Sequence, residues 1–165
     1  MNTQLDPRTR LGHVHLKVAD LDRAISFYRD ALGFEVTQRV GNEAAFLSVD
    51  GYHHHIGLNT WMSRGGSPPP AGTTGLFHAA ILYPDRRALG IALQRLLDHG
   101  IRVEGASDHG VSEALYLTDP DGNGLELYTD RPPEAWPREA DGTLAMFTGP
   151  LDLNLLLAEA HAERE

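Results

Sequence analysis

Nine histidines and no cysteine in 165 residues decide which chemistry to look for first. Without thiols, disulfides, thiolate zinc sites, iron–sulfur clusters and a cysteine nucleophile are excluded, and a metal site must use histidine and carboxylate. His13 and His78 open two stretches of alternating polarity. Each is followed after seven residues by an aspartate suited to cap a helix, Asp20 and Asp85. A glycine suited to end that helix, Gly33 or Gly100, comes twenty or twenty-two residues after the histidine. The ends of the two stretches also superpose, Ile56-Gly57-Leu58 on Leu125-Glu126-Leu127. The chain therefore carries an internal duplication in which Glu126 and Gly57 are equivalent. Two units facing each other would bring His13, His78 and Glu126 towards one point, with the place of Gly57 vacant. Taken singly, each is an ordinary strand histidine or a solvent-facing glutamate; the duplication favours a shared metal site. Two neutral imidazoles and one carboxylate suit a borderline divalent ion such as Fe(II) or Mn(II). Three ligands leave positions open for substrate and O2.

His53-His54-His55 forms a second cluster. In a strand over 53–59, alternation puts His53 and His55 on the face of Gly57 and His54 on the other. A bulge would reverse this, so His54 and His55 both stay open. Tyr116 stands ten residues before Glu126, across the turn 119–123, which places the two on adjacent strands. A phenol there can donate a hydrogen bond to a developing oxyanion or help deprotonate a hydroxyl. As a half-buried strand aromatic it would have no such role. His109, in the loop 107–110, is open to the same two readings.

The elements that must position these residues follow from periodicity. The first unit, 11–61, predicts a strand at 11–18 and a helix with Leu21, Ile25, Tyr28 and Leu32 on one face. Strands at 34–40, 44–49 and 53–59 complete it. The second, 75–130, predicts a strand at 77–83 and a helix lined by Leu89, Leu93, Leu96 and Leu97. Its strands fall at 102–106, 114–118 and 124–128. The fold class is α+β: two βαβββ units forming an open, barrel-like sheet around a metal cavity. Residues 62–75, rich in Gly, Pro, Ser and Thr, read as the linker. Residues 1–10 are a polar lead-in, and 131–165 a tail with a short helix near the leucines at 151–157. The length suits one domain, 11–130, plus these ends. Fourteen basic against twenty-three acidic residues give a net charge of −9, which argues against nonspecific nucleic-acid binding. No apolar run approaches the ~18 residues of a membrane span, and no export signal is visible. Zero cysteine fits a reducing, cytoplasmic compartment.

His13-Val-His-Leu-Lys-Val18, Asp20-Leu21, Phe27-Tyr28 and Leu32-Gly33-Phe34 resemble the opening of vicinal oxygen chelate proteins. That superfamily includes glyoxalase I, bleomycin and fosfomycin resistance proteins and type I extradiol dioxygenases. Asp119-Pro-Asp-Gly-Asn-Gly-Leu-Glu-Leu127 resembles its closing motif. The segments 51–61 and 113–123, with Asp130-Arg-Pro-Pro-Glu-Ala-Trp136 and Pro150-Leu-Asp-Leu153, are most similar to the catechol 2,3-dioxygenase type. The resemblance implies His13, His78 and Glu126 as iron ligands, His54 as acid/base and Tyr116 and His109 as further catalytic residues. It implies Fe(II), with Mn(II), Ni(II) or Zn(II) as alternatives, and an aromatic catechol-like substrate with O2. A homodimer is expected. The glyoxalase I type has a fourth ligand at the place of Gly57, so glycine there argues against that activity. The alternatives are a glyoxalase-like metal-dependent lyase, isomerase or thiol transferase, and a small-molecule binding protein without turnover.

Overall fold

The computed structural model describes residues 4–161. The first three residues of the lead-in and the last four of the tail lie outside the described residues. The order is β1 (Val14–Lys17), α1 (Leu21–Ser26, continued by a π-helical turn Phe27–Ala31), β2 (Glu35–Val40), β3 (Ala44–Ser48) and β4 (Ile56–Asn59). The second unit has β5 (Ala79–Leu82), α2 (Arg86–Asp98), β6 (Gly105–Asp108), β7 (Ser112–Thr118) and β8 (Gly124–Asp130). A two-residue β9 (Gly149–Pro150) and α3 (Leu153–His161) end the described chain. The mixed α+β architecture of two βαβββ units agrees with the sequence periodicity.

Both helices start as the caps predict. Asp20 accepts from the Arg23 amide at 2.9 Å, and Asp85 from the Ala88 amide at 2.7 Å. Gly33 and Gly100 adopt φ of +90° and +66°, which releases the chain after each helix. On α2, Leu89, Leu93 and Leu96 are buried but Leu97 is half exposed. At about 100° per residue, Leu97 lies ~80° round the helix from Leu89, on the rim of the apolar stripe rather than within it. The strand expected at 102–106 begins later, at Gly105, and the one expected at 53–59 begins only at Ile56.

The strands form two sheets, ordered β1-β4-β3-β2 and β5-β8-β7-β6-β9. In each, the first strand lies parallel to the last of its unit and occupies an edge. The registers match rung for rung: His15 lies opposite Gly57, and Ala80 opposite Glu126. The two sheets are not hydrogen-bonded to each other, so the open barrel is not closed within one copy. The units are instead joined through their helical sides. Leu16, Val18, Ile25 and Leu58 of the first unit share one apolar core with Leu89, Leu93, Leu115 and Leu127 of the second. Buried polar contacts staple the same seam. Tyr28 donates to Asp119 at 2.9 Å, and Asp121 accepts from the Ala19 amide at 2.9 Å and pairs with Arg23 at 2.6 Å. The tail packs back on the second unit: Leu156 is fully buried against α2, and β9 extends β6.

Candidate metal centre

Glu126 stands on β8 between buried Leu125 and Leu127, so the pleat turns its carboxylate to the outer face of the second sheet. His78 precedes β5 by one residue, and its Nε2 lies 3.0 Å from Glu126 Oε2. Gly124 permits this approach, because a Cβ there would run into the Phe77 carbonyl. Tyr116, opposite Glu126 on β7, donates to Oε1 at 3.0 Å. Its hydroxyl is also 2.6 Å from His109 Nε2, and His109 Nδ1 faces the Phe147 carbonyl at 3.0 Å. A polar chain thus runs from Phe147 through His109, Tyr116 and Glu126 to His78.

The His109 tautomer decides which partner the single phenol proton serves. With its proton on Nδ1 the ring donates to the Phe147 carbonyl and Nε2 accepts from the phenol; with its proton on Nε2 the ring donates to the phenol oxygen, Tyr116 donates to Glu126, and Nδ1 stands 3.4 Å from the Thr148 hydroxyl. Burial first, then the hydrogen bond and the charge of Glu126, push the Tyr116 phenol up to about 12. It is a protonated donor at neutral pH.

The donor pair fits a divalent ion. Two ligand atoms at right angles, each about 2.1 Å from one ion, lie ~3.0 Å apart. This is the His78–Glu126 spacing. The other nitrogen of His78, Nδ1, is buried and has no hydrogen-bond partner among the described residues, so the ring is held by Glu126 and by the rings of Phe77 at 5.4 Å and Tyr116 at 6.0 Å. A cleft of about 360 Å³ opens beside it, lined by Phe77, Glu104, Tyr116 and Leu125 among others. A larger cleft of about 560 Å³ lies near the start of α1. Its guanidiniums, Arg23, Arg39 and Arg64, are already engaged by Asp121, Asp22 and the Asn42 carbonyl, so we assign the chemistry to the smaller cleft.

His13 is elsewhere. It is exposed on the outer face of the first sheet, with its ring 4.3 Å from that of His54 and 6.5 Å from that of His53. Among the described residues, no three metal-ligating side chains come together. One copy does not bring His13 to His78 and Glu126 as the superposed repeats suggest. The two outer faces look away from the core that the helical sides share.

The histidine triplet lies in a bend before β4, not in the strand, so alternation does not govern it. His54 turns to His13 and to Phe46, at 4.9 Å between rings. His55 turns to Ser48, with Nδ1 3.1 Å from the hydroxyl. The Nδ1 atoms of His53 and His54 are 2.7 Å apart, so one must donate and the other accept. Burial, then the neighbouring His13, holds the His54 pKa below its ordinary value. At neutral pH it is therefore a neutral imidazole able to take a proton.

Two residues that the sequence did not single out bear on these positions. His15 covers Gly57: a Cβ at position 57 would stand 2.8 Å from His15 Cγ. The rung that holds Glu126 beside small Ala80 in one unit holds glycine under an imidazole in the other. His15 shares a strand face with His13, which was the available signal. Phe147, whose carbonyl aims His109, lies in the irregular tail and carries no local signal.

Comparison with known proteins places this geometry. The family model of the Glyoxalase/Bleomycin resistance protein/Dioxygenase superfamily matches residues 10–127. The chain is 44% identical over 163 residues to a catechol-2,3-dioxygenase of Bacillus subtilis (strain 168), covering 99% of this chain and 56% of that protein. It is 38% identical over 125 residues to biphenyl-2,3-diol 1,2-dioxygenase 3 of Rhodococcus globerulus, covering 73% of this chain and 63% of that protein. The chain thus spans roughly half to two thirds of the length of these two relatives. Among solved structures, a glyoxylase/bleomycin resistance protein/dioxygenase domain from Frankia sp. EAN1pec aligns with a TM-score of 0.63 and 23% identity. That alignment covers 74% of this chain and 98% of the other. Lactoylglutathione lyase from Agrobacterium tumefaciens aligns at 0.58 and 22%, covering 75% and 96%. With the motifs at both ends of the repeat, the paired βαβββ units and the match over 10–127, the chain belongs to the Glyoxalase/Bleomycin resistance protein/Dioxygenase superfamily.

Proposed function

We propose that the protein is an Fe(II)-dependent extradiol dioxygenase acting on a catechol-like aromatic, with His13, His78 and Glu126 as metal ligands. The observation that carries this is the His78–Glu126–Tyr116–His109 array, found in a chain 44% identical to a protein named as a catechol-2,3-dioxygenase. A bound ferrous ion supplies Lewis acidity towards the catechol oxygens and an electron source for O2. Mn(II), Ni(II) and Zn(II) suit the same donors. Tyr116 holds a phenol proton beside the carboxylate and can donate it to an oxygen that gains charge. His109 replenishes that proton through its 2.6 Å contact. His54, neutral and next to His13, can accept a catechol proton. Phe77 and Leu125 offer apolar wall to an aromatic ring in the cleft beside His78.

The test is to load the protein with Fe(II) under anaerobic conditions, add catechol, and admit air. A yellow ring-cleavage product with one O2 consumed per catechol is expected. Ligand-dependent stabilisation without product would make it a binding protein instead. Glu126→Ala should remain folded and lose more than about 100-fold in metal affinity, since the only anionic ligand is gone. Stoichiometric iron in that variant would overturn the ligand set.

A further inference from the structure

We infer that Arg131 is a positioning residue for ring cleavage: it ties the strand that carries Glu126 to the turn that carries His109, and so holds His109 Nε2 on the Tyr116 hydroxyl. This rests on the proposed roles of Tyr116 and His109. The turn 109–111 between β6 and β7 has little stiffness of its own, since Gly110 stands in it at φ +75°. The Phe147 carbonyl that meets His109 Nδ1 comes from an exposed stretch of the tail. The base of the turn therefore needs another anchor, and Arg131 meets it at two points. Its guanidinium Nη2 lies 2.7 Å from Asp108 Oδ2, and its amide donates to the Val111 carbonyl at 2.7 Å. Asp108 passes the hold on, because its Oδ1 accepts from the Gly110 amide at 2.8 Å.

Arg131 follows the last residue of β8, Asp130. One strand therefore carries the Glu126 carboxylate along its length and the clamp of the turn at its end. The same Nη2 lies 3.1 Å from buried Glu113 Oε1, and the Arg131 carbonyl accepts from Trp136 Nε1 at 2.7 Å, where the tail begins. Hydrogen bonds between ionised groups are short and strong, so the guanidinium fixes Asp108 in place. Arg86 shares Glu113 but not the turn. It lies 2.7 Å from Glu113 Oε2 and 2.8 Å from Glu159 Oε1, and so ties α2 and α3 to β7. The two arginines belong to one network of ion pairs, and of the two only Arg131 reaches the residues that flank His109. The His109–Tyr116 contact of 2.6 Å does not survive a displacement of about 1 Å, a misplacement that can cost roughly 100-fold in rate.

The test compares Arg131→Met, Arg131→Lys and Arg86→Met with the wild type. Catechol turnover and bound iron are measured on protein loaded with Fe(II). The imidazole nitrogen NMR signals of His109, identified by their absence from His109→Gln, are recorded before iron is added. In the wild type His109 should show one tautomer. Arg131→Met should lower kcat by about 10- to 100-fold with KM and bound iron held, and the His109 signals should move to the average of two tautomers. Arg131→Lys, whose ammonium still reaches Asp108, should restore both. Arg86→Met should lower the melting temperature and change neither. If Arg131→Met does not fold, Asp108→Ala severs the same contact and carries the same expectations. The inference is overturned by an unchanged kcat in Arg131→Met, by an equal fall in Arg86→Met, by a loss that lysine does not reverse, or by a fall in kcat with the His109 signals unmoved. A wild-type ring already averaged over both tautomers also overturns it. If the wild type does not cleave catechol, the proposed function fails, and the His109 signals alone decide the positioning. Averaging in Arg131→Met but not in Arg86→Met supports it, and identical signals in the two variants sink it.

Discussion

At the residue scale, the contrast between Gly57 and Glu126 defines the molecule. The same rung of a duplicated unit carries a carboxylate in one unit and a close approach in the other. From sequence, Gly57 looks like an empty ligand position that Gly57→Glu would refill. With His15 Cγ 2.8 Å from the site of the new Cβ, Gly57→Glu must first displace an imidazole stem. We expect it to cost stability by about 1–3 kcal/mol, as overpacking does, without raising metal affinity. Removing the obstacle with His15→Ala should recover most of the loss, which paired thermal melts of the single and double variants will show. Tyr116→Phe removes the phenol proton and keeps the ring, His78 and Glu126. Turnover of catechol should fall by roughly 10²–10⁴ with metal content unchanged, measured as oxygen uptake and bound iron on one sample. An unchanged rate would remove Tyr116 from the chemistry.

At the element scale, two glycines set how closely backbones approach. Gly90 on α2 lies under α3, where an added Cβ would meet the Leu156 carbonyl. Gly124 on β8 lies against β5, where it would meet the Phe77 carbonyl. Neither obstacle is a flexible side-chain end. Both Gly90→Ala and Gly124→Ala should therefore lower the melting temperature, despite the better intrinsic propensity of alanine in the helix. They should differ at the site. Gly124→Ala displaces His78 and should also weaken Mn(II) binding, whereas Gly90→Ala, which meets only α3, should leave it intact. Equal metal affinities in the two variants would show that the β5–β8 spacing does not position His78.

At the scale of the whole molecule, the seam between the units contains the buried phenol of Tyr28, and half-buried Tyr83 packs against the same core. Tyr28 is fully buried and donates to Asp119, and burial followed by that carboxylate raises its pKa well above the ordinary tyrosine value. Burial likewise pushes Tyr83 up to about 12, partly opposed by Arg95. Between the unfolded value of about 10 and the folded values, the native state holds more protons than the unfolded chain, so stability falls as pH rises. These groups make full contributions below about pH 10 and lose them progressively above it. Denaturant melts at pH 8, 9, 10 and 11 should show a plateau and then a decline. A flat profile to pH 11 would mean that the seam opens to water.

What could be read from residue order alone was whatever repeats or punctuates locally. The caps at Asp20 and Asp85, the stops at Gly33 and Gly100 and the apolar stripes of both helices were legible, because each is decided within one or two turns of chain. The equivalence of Glu126 with Gly57 was legible because duplication preserves register. The direction of His54 was not, because the bend at 53–55 depends on contacts with Thr37, Ser48 and Asp50 that lie outside the period-2 rule. Nor was the place of Phe147, which is brought to His109 by the fold of an irregular tail. Symmetry could say which residues belong to one kind of site. It could not say which surfaces meet, since a repeat can pack through its sheets or through its helices with the same internal register. The tertiary structure decided that: the apolar helical sides face one another, and the two histidine-bearing edges are left facing outward.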